Sequence, residues 1–440
     1  MKMLKVAKFG GSSVSSAIQF EKVKKIVSSD SSRRIVVISA AGKRSSEDHK
    51  LTDLLYLCHA HLTYGVSCSE IFRSICERFI EIRDALHLDY RIEDDLENLR
   101  SRLNKDISVD YLVSRGEYLT SRLMAEYLGY HFLDASECIF MNFDGSFDSE
   151  KIGSTIKAEL EKHPNLVIPG FYGSLPGGKI RVMSRGGSDI TGSLAAVAAG
   201  ADIYENWTDV SGILMADPRI VSNPKPIPRI TYAELRELAF MGASVLHEEA
   251  VQPVKEAGIA LNIRNTNIPE DEGTMIVPSI GGEEISDERF ITGIAGRRNF
   301  DIITVRKHNM NVNQSLRQAL EIFDTYKVNV EHITLGLDSF AVVASALQIG
   351  EGLYNICSEL QKSLRASDVQ IQEGIALVAA VGRKMSFRPG ISGKLFRALG
   401  QEGVNIRTIA QGSDELSIIL GVDNSQYESA VRVLYDSFAG

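Results

Sequence analysis

Four short segments hold residue types at spacings suited to chemistry on a phosphate and a carboxylate. In Lys8-Phe9-Gly10-Gly11-Ser12-Ser13-Val14 a lysine precedes paired glycines. Glycine lets backbone N–H groups come close to a phosphate, and a helix opening at the same place adds the positive end of its dipole. Lys8, with no partner evident in the sequence, supplies a cation for the charge that grows during phosphoryl transfer. The plainer alternative is a glycine turn with a surface lysine. Ser184-Arg185-Gly186-Gly187-Ser188-Asp189 repeats the glycine logic and adds a guanidinium and a carboxylate. The planar fork of Arg185 can hold a substrate carboxylate at two points. Asp189 stands where it could instead cap a helix. Ser114-Arg115-Gly116-Glu117 reads as the opening of a helix, with Glu117 either receiving a substrate ammonium or complementing the helix dipole. Trp207-Thr208-Asp209-Val210, with Asp217-Pro218-Arg219, suits a nucleotide pocket, although the chain's single tryptophan could equally be core.

Two tempting motifs fail on spacing. Gly173 to Lys179 nearly matches G-x-x-x-x-G-K-[ST], but Ile180 stands where the magnesium-binding hydroxyl belongs, and a strand follows. A hairpin turn is predicted there. Cys58-His59-Ala60-His61 lies in an apolar helical run with no second ligand cluster at zinc spacing, so ordinary helix residues and no resident metal are expected. Without a G-x-G-x-x-G fingerprint, a fused nicotinamide domain is not expected either.

The elements that must carry these residues alternate. Leu4 to Phe9 reads as a strand running into Gly10-Gly11, and Ile18, Val23, Ile26 and Val27 form a helical stripe after it. Ile35-Val36-Val37-Ile38-Ser39 is a β-branched run of the kind buried in parallel sheets. Thr52 to about Arg102 is helical and laced with charge. Leu166-Val167-Ile168, Ile180 to Met183 and Asp202 to Trp207 read as strands, Thr191 to Ala199 as a helix of small residues, and Tyr232 to Ala257 as two helices before Ala260 to Ile263. This βα alternation over residues 1–280 predicts an α/β fold, an open sandwich on a mainly parallel sheet. The pattern breaks at Gly281-Gly282-Glu283-Glu284, a linker signal. Beyond it Val328-Asn329-Val330 recurs as Val404-Asn405-Ile406, and Asp338-Ser339-Phe340 as Asp414-Glu415-Leu416. Both matches share a 76-residue period, which predicts two small α+β modules, at 291–370 and 371–440.

Composition narrows the function. With 44% hydrophobic and 24% charged residues the chain can bury sizeable cores. A net charge of −9 argues against nucleic acid or an anionic membrane as the main partner. No stretch approaches the length of a membrane span, the first residues lack a signal-peptide core, and five scattered cysteines read as reduced thiols; a cytoplasmic compartment is expected.

Together the segments resemble the aspartate kinases of the amino-acid kinase superfamily. Lys8 to Val14, Ser39-Ala40, Thr52 to Leu55, Ser114 to Glu117, Gly170-Phe171, Arg185 to Asp189, Trp207 to Val210, Asp217-Pro218-Arg219 and Val245-Leu246-His247 keep the family's motif order over essentially the whole chain. The terminal repeat resembles paired ACT modules. The resemblance implies transfer of the γ-phosphoryl of ATP, with Mg²⁺ on its phosphates, to the side-chain carboxylate of L-aspartate. The resemblance makes that step the first of lysine, threonine and methionine biosynthesis, with diaminopimelate on the lysine branch. Lys8 would bridge the moving phosphate, Gly10 and Gly11 would donate N–H groups to it, and Asp189 would organise the site around Lys8. Ser39, Thr52, Phe171 and Ser188 would lie near the aspartate, with Arg185 on a carboxylate and Glu117 on the α-ammonium. Thr208, Asp209, Leu214, Arg219 and Ser244 would line the nucleotide pocket. Ser244 replaces a frequent lysine, Leu214 a frequent aromatic, and Glu248 a common proline. Met310, Ser315, Val330 and Glu331 would hold an effector, lysine first, with Glu331 placed just after a strand. A homo-oligomer built through the ACT modules is implied as well. A kinase for another acid such as glutamate, or a non-catalytic amino-acid sensor, are the rival readings.

Overall fold

The computed structural model describes residues 3–184, 186–243, 246, 248–280, 291–383, 385, 389–412 and 416–439. Two compact units result: Met1–Ile213 with Pro226–Tyr232 and Val245–Gly281, and Leu214–Lys225 with Ala233–Ser244 and Gly282–Gly440.

The first unit grows from strands with no solvent face. β1 (Lys5–Phe9) and β2 (Arg33–Ile38) are buried along nearly their whole length. Such strands pair in parallel between helical layers. They are joined by β3 (His131–Phe132), β4 (Leu166–Pro169), the hairpin β5 (Tyr172–Ser174) and β6 (Ile180–Val182), and β7 (Ile203–Thr208). Short strands β8 (Ile213–Leu214) and β9 (Pro226–Ile227) precede β10 (Arg229–Thr231), β11 (Ala260–Asn265) and β12 (Thr274–Val277). The main sheet has eight strands in the order β10-β12-β11-β7-β1-β2-β4-β3. From β3 to β11 every pair is parallel, and β12 runs antiparallel to β11. The predicted open, mainly parallel α/β sheet is therefore present. The β5–β6 hairpin turns through Gly177 and Gly178, at φ 91 and 81°, where a P-loop might have been read.

Helices cover the sheet: α1 (Ala17–Ser28), α2 (Leu51–Thr63), α3 (Ser69–Ala85), α4 (Ile92–Ser101), α5 (Val109–Leu128), α6 (Ala135–Cys138), α7 (Ser149–Lys162), α8 (Gly187–Ala199) and α10 (Glu248–Glu256), while α9 (Tyr232–Phe240) belongs, beyond its first residue, to the second unit. One core gathers Phe20 and Val23 of α1, Leu55 of α2, Phe79 of α3 and Leu123 of α5 around Phe9 and Trp207. In α8 the small residues bring helix and sheet together; a methyl at Gly192 would run into the Tyr204 ring. His59 and His61 of α2 lie 3.2 and 3.0 Å from the carbonyls of Ile107 and Ser67, so both serve the helical layer. All five cysteines are free thiols.

The second unit carries a six-stranded antiparallel sheet in the order β14-β15-β13-β16-β18-β17. Its strands are β13 (Gly293–Arg306), β14 (Val330–Leu335), β15 (Ser339–Ser345), β16 (Asp368–Val381), β17 (Ile406–Gln411) and β18 (Ser417–Asp423). Its helices are α11 (Val312–Thr325), α12 (Ala346–Ile349), α13 (Leu353–Leu364), α14 (Ile391–Gln401) and α15 (Tyr427–Ala439). β14 starts at 330 and β17 at 406, so the two copies keep their 76-residue offset. Two cores form. Phe323, Phe340, Ile356 and Leu360 fill one; Ile294, Val378, Leu395, Leu420 and Leu434 fill the other, joined by Ala216 and Val221. The long strands serve both. Gly293–Arg297 of β13 pairs with Leu377–Val381 of β16 beside β18, and Phe300–Arg306 pairs with Asp368–Ile375 while flanking β15. The expected module boundary at 370/371 falls inside β16. Linker residues 281–284 lie outside the described residues.

Candidate active site

The site residues gather at the C-terminal ends of β1, β2, β4 and β7, the edge where open parallel sheets bind ligands. Lys8 and Asn206 are direct partners in the β1–β7 register. Their side chains meet Asp189 from the first turn of α8. Lys8 Nζ is 2.6 Å from Asp189 Oδ1 and 3.5 Å from Asn206 Oδ1, and Asn206 Nδ2 donates to Asp189 Oδ1 at 2.8 Å. Lys8 is buried, so its charge stands in a poorly screened place beside a matched carboxylate. The expectation that Lys8 lacks a resting partner is thus corrected. Asp189 does not cap α8, whose N-cap is Gly186 in the left-handed region at φ 79°.

The glycine turn after β1 behaves differently from its simplest reading. Gly10 N–H donates to the Trp207 carbonyl at 3.0 Å, so it is engaged within the fold rather than offered to a phosphate. A single turn of 3-10 helix, Gly11–Val14, follows, and α1 opens only at Ala17. Gly11 is needed for close approach: a methyl there would lie 2.9 Å from the Ala40 carbonyl and 3.3 Å from Gly42 Cα. This contact presses the β1 turn against Ser39-Ala40-Ala41-Gly42 beyond β2. Ser39 is half-buried there, its N–H bonded to the Phe9 carbonyl, and Thr52 is the half-buried second residue of α2.

Glu117 lies on the other side of Ala40. Ser114 to Glu117 does not open a helix as expected; it sits in the middle of α5, whose start is Ser108 ahead of Val109. Glu117 is therefore not a first-turn acid. It is buried, accepts from the Ala40 N–H, and keeps Oε2 without a hydrogen-bond partner. Burial pushes its carboxyl up to about 8, against the opposing pull of the Ala40 N–H and the Arg115 charge. Arg115 itself is held in an aromatic cage, 4.4 Å from the Tyr118 ring centre and 4.7 Å from that of Tyr111.

Beyond β4, Phe171 takes φ 76°, a left-handed conformation costly for a bulky residue and often found at ligand sites. Its N–H donates to Thr191 Oγ1 at 3.1 Å, tying the loop to α8. Gly170 admits Ser188 of the same helix, since a methyl would come 2.6 Å from Ser188 Cβ. Arg185 lies outside the described residues, as does Ser244.

The nucleotide expectations divide. Thr208 ends β7, and its hydroxyl donates to the exposed Asp209 at 3.2 Å. Trp207 is core: it stacks on Phe9 at 5.9 Å and donates to Glu205, which is paired with the buried Arg33. Leu214 and Arg219 belong to the second unit. Arg219 closes a local turn on Asp217 at 2.6 Å, which holds the Asp217 carboxyl below its usual range. In the second unit, Met310 and Ser315 are buried at the start of α11. Val330 and Glu331 open β14 instead of following a strand, and Glu331 is neither solvated nor unpaired: Arg297 Nη2 reaches its Oε2 at 2.6 Å. Asn206 and Arg297 were not singled out by sequence reasoning. Asn206 had a signal, a polar residue inside an otherwise buried strand next to the Trp-Thr-Asp block.

The sequence profile of the amino acid kinase family matches residues 3–265, and that of the ACT domain residues 378–438. The chain belongs to the amino acid kinase family. Aspartokinase 3 of Bacillus subtilis is 35% identical, over 99% of this chain and 98% of its own length. The crystal structure of Clostridium acetobutylicum aspartate kinase superposes with a TM-score of 0.91 at 45% identity, covering 99% of this chain and 100% of that one. Escherichia coli aspartokinase III, 28% identical at the same coverage, matches with TM-scores of 0.72 in complex with aspartate and ADP and 0.75 in complex with lysine and aspartate. These relatives place the chain among the aspartokinases.

Proposed function

We propose that the enzyme transfers the γ-phosphoryl group of ATP to the side-chain carboxylate of L-aspartate, giving 4-phospho-L-aspartate and ADP. The observation that carries this reading is Glu117, a buried carboxylate with one oxygen unclaimed. A buried acid of this kind calls for a cation, and the α-ammonium of an amino acid supplies one. E. coli aspartokinase III holds aspartate and ADP in its crystal structure, which agrees.

An oxygen of the aspartate side chain attacks Pγ, and the Pγ–O bond to ADP breaks as the new one forms. No protein nucleophile enters, and catalysis is positioning with charge stabilisation. ATP arrives with Mg²⁺ on its phosphates. Lys8 follows the charge on the transferring group, steadied by Asp189 and Asn206. Arg185 holds a substrate carboxylate, with Ser39, Thr52, Phe171 and Ser188 around the acid and Thr208 and Asp209 toward the nucleotide. Leu214, Arg219 and Ser244 keep their nucleotide role by resemblance alone. Acyl phosphate trapped by hydroxylamine tests the reading: hydroxamate should form from aspartate with ATP and Mg²⁺, and not from glutamate. Hydroxamate from neither acid would overturn it.

Regulation rests on the second unit. Lysine is the first candidate effector, in line with the E. coli structure that contains lysine and aspartate. Its ammonium would take Glu331 and release Arg297. Self-association is supported by β14, an edge strand exposing Leu335 at 58%, with Leu337 at 91% just beyond it.

A further inference from the structure

Away from the kinase site, one cluster among the described residues gathers metal-ligating atoms. His131, Glu159 and His163 each bring one such atom within 4.8 Å of the other two. We propose that they bind a first-row divalent cation with a preference for imidazole, such as Zn²⁺, Ni²⁺ or Co²⁺, and that the ion clamps the end of α7 to the edge strand β3.

Secondary structure pins all three positions. His131 belongs to β3, the outermost strand of the main sheet, paired with Leu166 of β4, and its N–H donates to the Asn165 carbonyl at 3.1 Å. Glu159 lies in the last turn of α7, and His163 is the extended residue that directly follows the helix. The His163 N–H donates to the Glu159 carbonyl at 2.8 Å and fixes the turn. Glu159 Oε2 is 3.9 Å from His131 Nε2. Two imidazole nitrogens and one carboxylate oxygen make the donor set that borderline transition metals favour. Mg²⁺ and Ca²⁺ want oxygen ligands, so the ion carried by ATP is no rival.

Two features must yield on binding. The imidazoles stack at 3.6 Å with planes 5° apart, and an ion cannot lie in the plane of both rings while they stay stacked. His131 is 39% exposed and has room to swing. Lys162 pairs with Glu159 Oε1 at 2.7 Å, an exposed contact that water can replace.

Titration of the metal-free full-length protein with Co²⁺ and Zn²⁺ decides the matter, alongside the double variant His131→Ala/His163→Ala and the single variant Glu159→Gln. The wild type should bind one equivalent of Co²⁺ with ligand-field absorption and without a thiolate charge-transfer band. Zn²⁺ should raise its melting midpoint. The double variant should lose both responses while keeping its kinase turnover with Mg²⁺-ATP, which also shows that it is folded, and Glu159→Gln should weaken Co²⁺ by about tenfold. No stoichiometric binding, equal binding by the double variant, or a thiolate band would each overturn the assignment.

Discussion

Lys8 is paired with the Asp189 carboxylate at rest, and in the proposed reaction it would meet the charge that grows during transfer, so its removal should strike turnover. Lys8→Ala is expected to lower kcat by roughly 100-fold, about 3 kcal/mol, with a smaller change in KM for aspartate. Steady-state kinetics at saturating ATP measure both, and near-normal turnover would remove Lys8 from the chemistry. Asn206 donates to Asp189, and if Asp189 steadies Lys8 as proposed, Asn206→Leu should cost kcat about tenfold, near 1.4 kcal/mol, and leave both KM values close to wild type. Glu117 gives a pH signature. Burial pushes its carboxyl up to about 8, and in the proposed complex a substrate ammonium would pair with the ionised form. Binding must then expel a proton below that pH, and KM for aspartate should fall as pH rises from about 6 toward about 8. Stability runs the other way. A carboxyl raised above its unfolded value favours the fold when protonated, and that contribution is lost as pH rises through the folded pKa. Glu117→Gln should flatten both profiles and raise KM; an unchanged pH profile would place the ammonium elsewhere. Lys8, Asp189 and Glu117 were singled out from the sequence, and the structure buries Lys8 and Glu117 and pairs Lys8 with Asp189. The resemblance set Asp189 beside Lys8, as the ion pair has it, but Asn206 was not foreseen, because it meets Lys8 through strand register across 198 positions of chain.

Elements were easier to foresee than their ends. The apolar runs of β1, β2 and β4 and the small residues of α8 announced themselves by composition. The start of α5 did not: charged and polar residues at 114–117 imitate a helix opening, while the real start, Ser108, makes no side-chain cap. Glu331 was misplaced for a similar reason, since a strand that begins at Val330 has no stop signal ahead of it. Close packing of elements supplies a further test. Gly170→Ala would drive a methyl to 2.6 Å from Ser188 Cβ and 2.9 Å from its Cα, backbone included. Overpacking of this kind costs about 1–3 kcal/mol, so thermal denaturation should begin earlier and catalysis weaken as the loop and α8 part. Wild-type stability together with wild-type kinetics would show that this junction has slack. For the effector, Glu331→Ala should blunt inhibition by lysine, a coupling on the order of 1–3 kcal/mol. Equal inhibition of both proteins, with threonine and meso-diaminopimelate titrated beside lysine, would remove Glu331 from that role.

At the level of the whole chain, the repeat showed itself by a fixed offset, but the crossing of its strands did not. A period counts residues and is silent about which strand lies beside which. The exposed end of β14 offers a molecular test. Leu335→Lys with Leu337→Lys should weaken self-association, read as a lower sedimentation coefficient at equal concentration, since charge on an edge strand blocks further pairing. An unchanged coefficient would move the interface elsewhere. The crossing of β13 and β16 bears on inheritance. Each strand gives one half to each core, so a genetic breakpoint between the two modules leaves both with half a central strand and a bared apolar face. Recombination can hand on the pair intact; it cannot trade one member for another. Variation among descendants of such a chain would then have to accumulate in place, by substitution at positions such as Glu331, and not by exchange of one sensor for another.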